Sequence, residues 1–279
     1  MRYRIYLLAL FALLLAACTP PEEPGDDGIV TDSDETTDID PGEQVTFPDP
    51  AFEGCVRTYL MKEEGALIYA SELASYSTWG CVDAGVVDIT GIEYMVNLES
   101  LNLYSNQIVS LEPLRSLKKV RELALHSNQI EDLEPLSGLT TLEKLNVGNN
   151  KIKSLQSLNT LINLTDLTVM TNQLTSVAGL ENLVNMKDLW ILQNNISDIS
   201  LLNKMTVLER LNMKSCHIQS IEVTKNFLSL DTLWMEDNCV SDLSPVDYLK
   251  TNGALTNVTG DTTEEQQNCT LVSEMPISM

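Results

Sequence analysis

A unit of 22 residues recurs from Asn97 to Lys250, and this period constrains the fold more than any other feature. A leucine holds the same place in each of seven copies: Leu101, Leu123, Leu145, Leu167, Leu189, Leu211 and Leu233. A second column holds Asn106, Asn128, Asn150, Asn172, Asn194 and Asn238, with Cys216 in the sixth place. A fixed period in this range is typical of a solenoid, in which each copy forms one coil. Such coils bury their apolar residues only by stacking on one another.

Apolar and polar residues alternate around the leucine column, which predicts one short β-strand in each coil. In the first copy we expect Leu101 and Leu103 to point inward, and Asn102 and Tyr104 to point outward. Identical strands in successive coils can pair only in parallel, through a crossover connection. The connection is too short for a long helix, so we expect a 3₁₀ or extended segment. Three prolines fit the first position of such a segment, where a missing N–H costs nothing: Pro113, Pro135 and Pro245.

The unit L-x-x-L-x-L-x-x-N-x-I and the Leu-Glu-Pro-Leu strings at 111–114 and 133–136 resemble the internalin-type branch of bacterial leucine-rich repeat proteins. The resemblance implies an α/β fold. Its expected form is a leucine-rich repeat solenoid with a parallel sheet on the concave face, short 3₁₀ or irregular convex segments and a small helical N-terminal cap. The string from Pro48 to Val56 is similar to the helix that opens many such domains. We therefore expect these segments: an N-terminal cap and degenerate first coil at 48–96, seven repeats at 97–250, and a C-terminal cap and tail at 251–279.

The start of the chain has the features of an export signal. Arg2 and Arg4 precede an apolar run from Ile5 to Ala17, which is too short to span a bilayer. The run ends at Cys18 in a string that resembles a bacterial lipobox. We expect residues 1–17 to be a lipoprotein signal peptide and Cys18 to carry the lipid. The alternative is an ordinary signal peptide cut near Ala17, with Cys18 incidental.

The segment 18–47 is rich in acidic residues and contains neither lysine nor arginine. Low hydrophobicity with high like charge predicts a disordered tether between anchor and domain. Thr19 follows the predicted lipidation site, and the resemblance to bacterial lipoproteins then favours the outer membrane. We expect an envelope protein that meets the membrane through its lipid and faces either the periplasm or the cell surface.

Six cysteines occur, and five remain if Cys18 is lipidated, so at least one has no partner within the monomer. Export permits disulfides. Cys55 in the cap and Cys81 in the first coil are the pair that we expect. Cys239 and Cys269 are the next candidate pair, which would tie the tail to the last coil. Cys216 replaces an inward asparagine, and we expect a buried, unreactive thiol there.

The sequence contains no nucleophile, phosphate-binding or zinc-binding motif, and it has two histidines in all. We therefore expect no enzymatic activity, no cofactor and no metal. The chain carries 40 acidic residues against 17 basic ones. This balance argues against nucleic acid as a partner, because nucleic acid binding requires a basic surface.

The outward positions of the predicted sheet are mostly small or polar, but a few are large and are our candidate binding residues: Tyr104, His126, Met170, Trp190, Leu192 and Trp234. Trp190 and Trp234 are two coils apart, or about 10 Å at strand spacing. Together with Met170 and Leu192 they are expected to form an apolar patch. Tryptophan is enriched in binding hot spots, and exposed apolar patches mark interaction sites.

These observations predict a membrane-anchored lipoprotein that binds a protein partner through the concave face, and protein binding is also what the family resemblance implies. The alternative is a structural or carbohydrate-binding envelope protein, in which the two tryptophans stack on sugar rings.

Overall fold

The computed structural model describes residues 40–260 and 262, which belong to the unit Asp38–Met279. The predicted signal peptide, the predicted lipidation site Cys18, most of the acidic segment and Cys269 lie outside the described residues. Within the described ranges, no helix combines the length and the apolar character needed to cross a membrane.

The described chain forms one parallel sheet whose strands follow one another in sequence order. Each strand has three residues: β1 (Thr78–Gly80), β2 (Ser100–Asn102), β3 (Glu122–Ala124), β4 (Lys144–Asn146), β5 (Asp166–Thr168), β6 (Asp188–Trp190), β7 (Arg210–Asn212), β8 (Thr232–Trp234) and β9 (Asn257–Thr259). From β1 to β8 the register follows the repeat, so that Leu101 pairs with Leu123 and Leu189 with Leu211. This confirms the predicted fold class.

Short 3₁₀ helices connect most strands on the convex side: Ile92–Tyr94, Glu112–Leu114, Glu134–Leu136, Gln156–Leu158, Ser200–Leu202 and Glu222–Asn226. Pro113 and Pro135 are the second residues of their helices, whereas the sequence predicted the first position. The second position is equally permissive, because its N–H also lacks a partner within the helix. In the coil between β5 and β6 the turn contains Gly179 at φ 103°, where a Cβ would lie 2.3 Å from the Leu155 carbonyl oxygen.

The inward asparagines join successive coils. The side-chain oxygen of Asn128 accepts the Ile108 N–H at 3.0 Å, and its amide donates to the Leu103 and Leu125 carbonyls at 3.0 and 2.8 Å. Cys216 occupies this column and is fully buried, and burial raises the pKa of its thiol to about 11. Its Sγ donates to the Ile191 carbonyl at 3.1 Å.

The N-terminal cap is built on α1 (Pro50–Leu60), whose Phe52 and Val56 are buried, and α2 (Ala70–Leu73). Phe52 packs edge-on against Trp79, at a centroid distance of 5.4 Å. Trp79 takes the leucine place of the first coil, since it pairs with Leu101 in register. A large apolar side chain at this place lets the cap helix close the open end of the core.

One disulfide and the hydrogen bonds of Asp49 hold this cap to the first coil. A disulfide joins Cys55 of α1 to Cys81, directly after β1. One carboxylate oxygen of Asp49 accepts the N–H groups of Ala51 and Phe52 at the start of α1. The other oxygen accepts the N–H groups of Val87 and Asp88 in the first coil, at 2.6 and 2.9 Å.

Residues 40–47 differ from the expectation of a disordered tether. Gln44 forms an antiparallel bridge with Tyr69, and Val45 is buried. Phe47 contacts Phe52 edge-on. The apolar residues Val45 and Phe47 interrupt the acidic composition, and the cap supplies a surface against which Val45 is buried and Phe47 is partly buried. The end of the acidic segment is therefore part of the folded unit.

The C-terminal coil departs from the 22-residue unit. Its convex segment is the helix α3 (Ser244–Asn252), with Pro245 again in second position. This helix lengthens the coil, so that Thr232 of β8 pairs with Asn257 of β9. The sequence predicted a C-terminal cap and tail at 251–279, and β9 lies in this segment, outside the 22-residue register.

Candidate functional site

Two tryptophans form a pair on the outward face of the sheet. Trp190 ends β6, Trp234 ends β8, and Asn212 of β7 lies between them in register. Their ring centroids are 5.4 Å apart, with 41° between the planes. The expected separation of about 10 Å is the distance between the backbones of β6 and β8. The rings themselves lean together over Asn212, which is only 7% exposed. We call Trp190 and Trp234 the tryptophan pair.

The Trp190 ring is held in place by a polar chain. Its Nε1 donates to Asp188 Oδ1 at 2.6 Å. Asp188 Oδ2 in turn accepts from Arg210 Nε at 2.8 Å, and the Arg210 Nη2 lies 2.6 Å away. The indole N–H is therefore already satisfied. What Trp190 offers to a partner is the apolar surface of its ring, in an orientation fixed before binding.

Two residues after the ends of β2, β3, β5 and β6, the next outward position carries a large side chain. We call these four residues the apolar spine: Tyr104, His126, Met170 and Leu192. The Tyr104 and His126 rings are stacked, with centroids 4.3 Å apart and 3° between planes. Burial lowers the pKa of His126, which favours its neutral form. Gly148 lies between His126 and Met170, and a Cβ there would lie 3.0 Å from Met170 Cγ, so a side chain at this position would require Met170 to shift.

A depression of about 290 Å³ lies beside the spine on β2–β5, with mostly polar side chains around it but more apolar than polar surface exposed in it. Its outward lining residues are Ser100, Asn102, Glu122, Ala124, Lys144, Asn146, Asp166 and Thr168. Asn102 Oδ1 accepts the Tyr104 N–H, and Asn146 Oδ1 accepts the Gly148 N–H, both at 3.1 Å. These bonds hold each amide oxygen against its own strand. Within the described residues neither Nδ2 has an acceptor.

Charged side chains form a ladder along one side of this depression. Lys144 Nζ lies 2.7 Å from Glu122, and Arg210 pairs with Asp188. Asp166 stands between the two pairs, and no basic residue of the described chain forms an ion pair with it. Its Oδ2 accepts a hydrogen bond from the Thr165 hydroxyl at 2.6 Å.

All six candidate residues lie at outward positions of one sheet, and the structure brings two pairs of them into contact: Trp190 with Trp234, and Tyr104 with His126. Their role in binding remains a prediction. Sequence reasoning missed Asp188 and Arg210. The available signal was their opposite charge at equivalent positions of adjacent coils, which places the two side chains side by side on a parallel sheet.

The stacked coils and the open concave sheet define a leucine-rich repeat protein. A family model described as Leucine Rich repeats (2 copies) matches residues 96–138. Internalin C2 of Listeria monocytogenes is 31% identical over 76% of this chain and 94% of its own, with a TM-score of 0.72. The chain therefore belongs to the internalin-type leucine-rich repeat proteins.

More distant solved structures share the fold alone. The functional domain of InlJ from Listeria monocytogenes, described as including a cysteine ladder, is 20% identical, with a TM-score of 0.58. That match covers 80% of this chain and 63% of the other. A leucine-rich repeat protein of Leptospira interrogans is 23% identical, with a TM-score of 0.54, over 64% of this chain and 47% of its own. Comparison with curated proteins found no match.

Proposed function

We propose that this protein is an envelope lipoprotein that binds another protein through the concave face of its repeat domain. The observation that carries the proposal is the tryptophan pair. Two large apolar rings lie against each other on a sheet face whose other outward positions are mostly small or polar. Tryptophan is enriched among binding hot spots, and truncation of a hot-spot residue costs about 2 kcal/mol or more.

The fixed orientation of the rings supports the same function. A partner that meets an already ordered side chain avoids part of the entropy cost of association. Asp188 and Arg210 supply this order for Trp190, and contact between the rings supplies it for Trp234.

The polar groups next to the rings favour protein over glycan. A sugar that stacks on tryptophan also needs hydrogen-bonding groups for its hydroxyls. Here the indole N–H of Trp190 and the Asp188 carboxylate already bind each other, and Asp188 also binds Arg210. The remaining outward neighbours in the spine, Met170 and Leu192, are apolar.

The membrane attachment in this proposal rests on Cys18, which follows a short apolar run and the small residues Ala16 and Ala17. A lipid on Cys18 would hold the domain at the envelope, with the acidic segment as spacer. Placement in the outer membrane is part of the proposal.

Photo-crosslinking in the producing cells tests the partner class. A photoreactive residue at Thr168, next to Trp190 in register, should capture one predominant polypeptide. The same residue at Val109, which is 56% exposed and away from the sheet, is the control. Capture at Thr168 should disappear when Trp190 and Trp234 are both changed to Ala. Crosslinks to polysaccharide alone, or identical products at the two positions, would contradict protein binding.

A further inference from the structure

We infer that the element bound by the concave face is an extended, basic segment of polypeptide, which lies along the depression on β2–β5 and places a lysine or arginine between Asp166 and Trp190. This inference rests on the proposed function and specifies the chemistry of its partner.

The shape of the depression favours an extended chain. Its floor consists of one outward residue from each of four strands: Asn102, Ala124, Asn146 and Thr168. Four strands span about 14 Å. The floor ends at Trp190, which is next to Thr168 in register and much larger. The charged ladder and the apolar spine flank this floor, and their backbone positions are only about 13 Å apart along the strand direction. Their side chains narrow this width further, so a helix of about 10–12 Å diameter is too wide.

The floor presents two amide donors on side chains whose oxygens are bonded to their own strands. The free Nδ2 groups of Asn102 and Asn146 come from strands two apart, so they are separated by about 10 Å. An extended chain in the polyproline II conformation repeats every three residues, or about 9 Å, and its backbone carbonyls have no internal partners. One face of such a chain therefore meets both amides in turn. Ala124 lies between them and leaves room for the backbone.

The charge beside the depression selects a basic segment. The ladder of Glu122, Lys144, Asp166, Asp188 and Arg210 contains three carboxylates and two cations. Asp166 makes no direct ion pair within the described chain, because the nearby cations Lys144 and Arg210, whose pKa values it helps to raise, contact Glu122 and Asp188 instead. A cation placed there would neutralise Asp166 and could also contact the face of the neighbouring Trp190 ring, which attracts cations. The net charge of −23 on the chain further favours encounter with basic partners.

On the opposite side of the depression, the apolar spine favours apolar side chains in the bound segment. Tyr104, His126 and Met170 occupy the next outward positions, two residues after the ends of β2, β3 and β5, with Gly148 between the last two. The segment that fits both sides carries apolar residues toward the spine and a basic residue toward Asp166.

A displayed library of random linear 12-residue peptides tests this inference on the full chain. Selected peptides should share one lysine or arginine with apolar neighbours, and should bind more weakly as salt concentration rises. Asp166→Asn should weaken the best peptide at least tenfold and reduce its salt dependence. Ala124→Trp should block binding, since it fills the floor without entering the core.

Two control variants match these changes. Glu64→Gln removes an exposed carboxylate in the cap, and Val109→Trp adds a ring away from the sheet. Both should leave peptide affinity within twofold. If Ala124→Trp does not fold, Asp166→Asn still decides the result.

The inference is overturned if the library yields no binding peptide, if the selected peptides are acidic or follow a helical spacing, or if Asp166→Asn binds them normally. Failure here differs from failure of the proposed function. A cellular partner that requires Trp190 and Trp234 but still binds Ala124→Trp and Asp166→Asn would leave protein binding intact and remove only the extended basic segment.

Discussion

The rings of Trp190 and Trp234 lie 5.4 Å apart although a whole strand separates the two residues. The intervening residue is Asn212, whose side chain is short enough for both rings to close over it. Its Oδ1 accepts the Lys214 N–H at 3.3 Å, which keeps the amide close to its own strand. The two residues are 44 positions apart in the sequence and two coils apart in the solenoid, yet their rings form one continuous apolar surface.

Replacement of both tryptophans by Ala should separate binding from folding. Neither ring fills the core, since Leu189 and Ile191 occupy the inward positions beside Trp190. We expect a stability loss under about 1 kcal/mol for each change. Affinity for the crosslinked partner should fall at least about tenfold. Thermal unfolding and titration of the two proteins measure both quantities. Loss of folding would place the rings among the structural residues, and unchanged affinity would move the binding surface elsewhere.

Asp49 should make the N-terminal cap sensitive to acid. Burial tends to raise the pKa of Asp49, but four backbone N–H donors outweigh it and hold the pKa below its ordinary value. A lowered folded pKa gives stability that is present above the unfolded value, near 4, and is lost as pH falls through the folded value. At pH 7, Asp49→Ala should cost about 1–3 kcal/mol. Urea unfolding should show this difference shrinking toward pH 2. A pH-independent difference would contradict the role of the charge.

Cys216 interrupts the asparagine column. We expect that asparagine at this position would recover the stability that the interruption removes. In the other repeats the asparagine oxygen accepts an N–H from the preceding coil, as Asn194 does from Leu174. At Cys216 the equivalent donor is the Ile196 N–H, which has no acceptor among the described residues. Cys216→Asn should restore this bond and stabilise the domain by about 0.5–1.5 kcal/mol. Cys216→Ser is the matched control, because its shorter side chain does not reach as far. Equal stability of the Asn variant and wild type would show that the site has adapted to sulfur.

The disulfides can be mapped in exported protein without reduction. Peptide mapping should recover Cys55 linked to Cys81, which the structure joins, and we predict a second link between Cys239 and Cys269. Cys216 should react with alkylating agents only after unfolding, since burial raises the pKa of its thiol to about 11. Recovery of unlinked Cys269 would refute the second pair.

Lipidation of Cys18 is tested by growth of the producing cells with a labelled fatty acid. Label should enter the wild-type protein and be absent from Cys18→Ser, which should also leave the membrane fraction. Cys216→Ser serves as the control, because its thiol lies in the core. Equal labelling of Cys18→Ser and wild type would exclude the anchor at this position.

The sequence by itself determined the architecture. The leucine and asparagine columns repeat at a fixed interval, and each coil can satisfy its apolar and polar backbone groups only against an equivalent neighbour. That requirement fixes the parallel pairing of Leu101 with Leu123 and the inward direction of Asn128. It also fixes which residues of each strand face outward, and so the list of candidate binding residues.

Tertiary structure alone decided how the outward side chains and the chain ends are arranged. Alternation gives the direction of Trp190, but the size of Asn212 and the hydrogen bond to Asp188 determine where the ring lies. Residues 40–47 and β9 follow no repeat, so their positions depend on the surfaces that the cap and the last coil offer. A periodic pattern specifies contacts between equivalent residues. Contacts between unlike residues depend on side-chain size and rotamer, which the period does not encode.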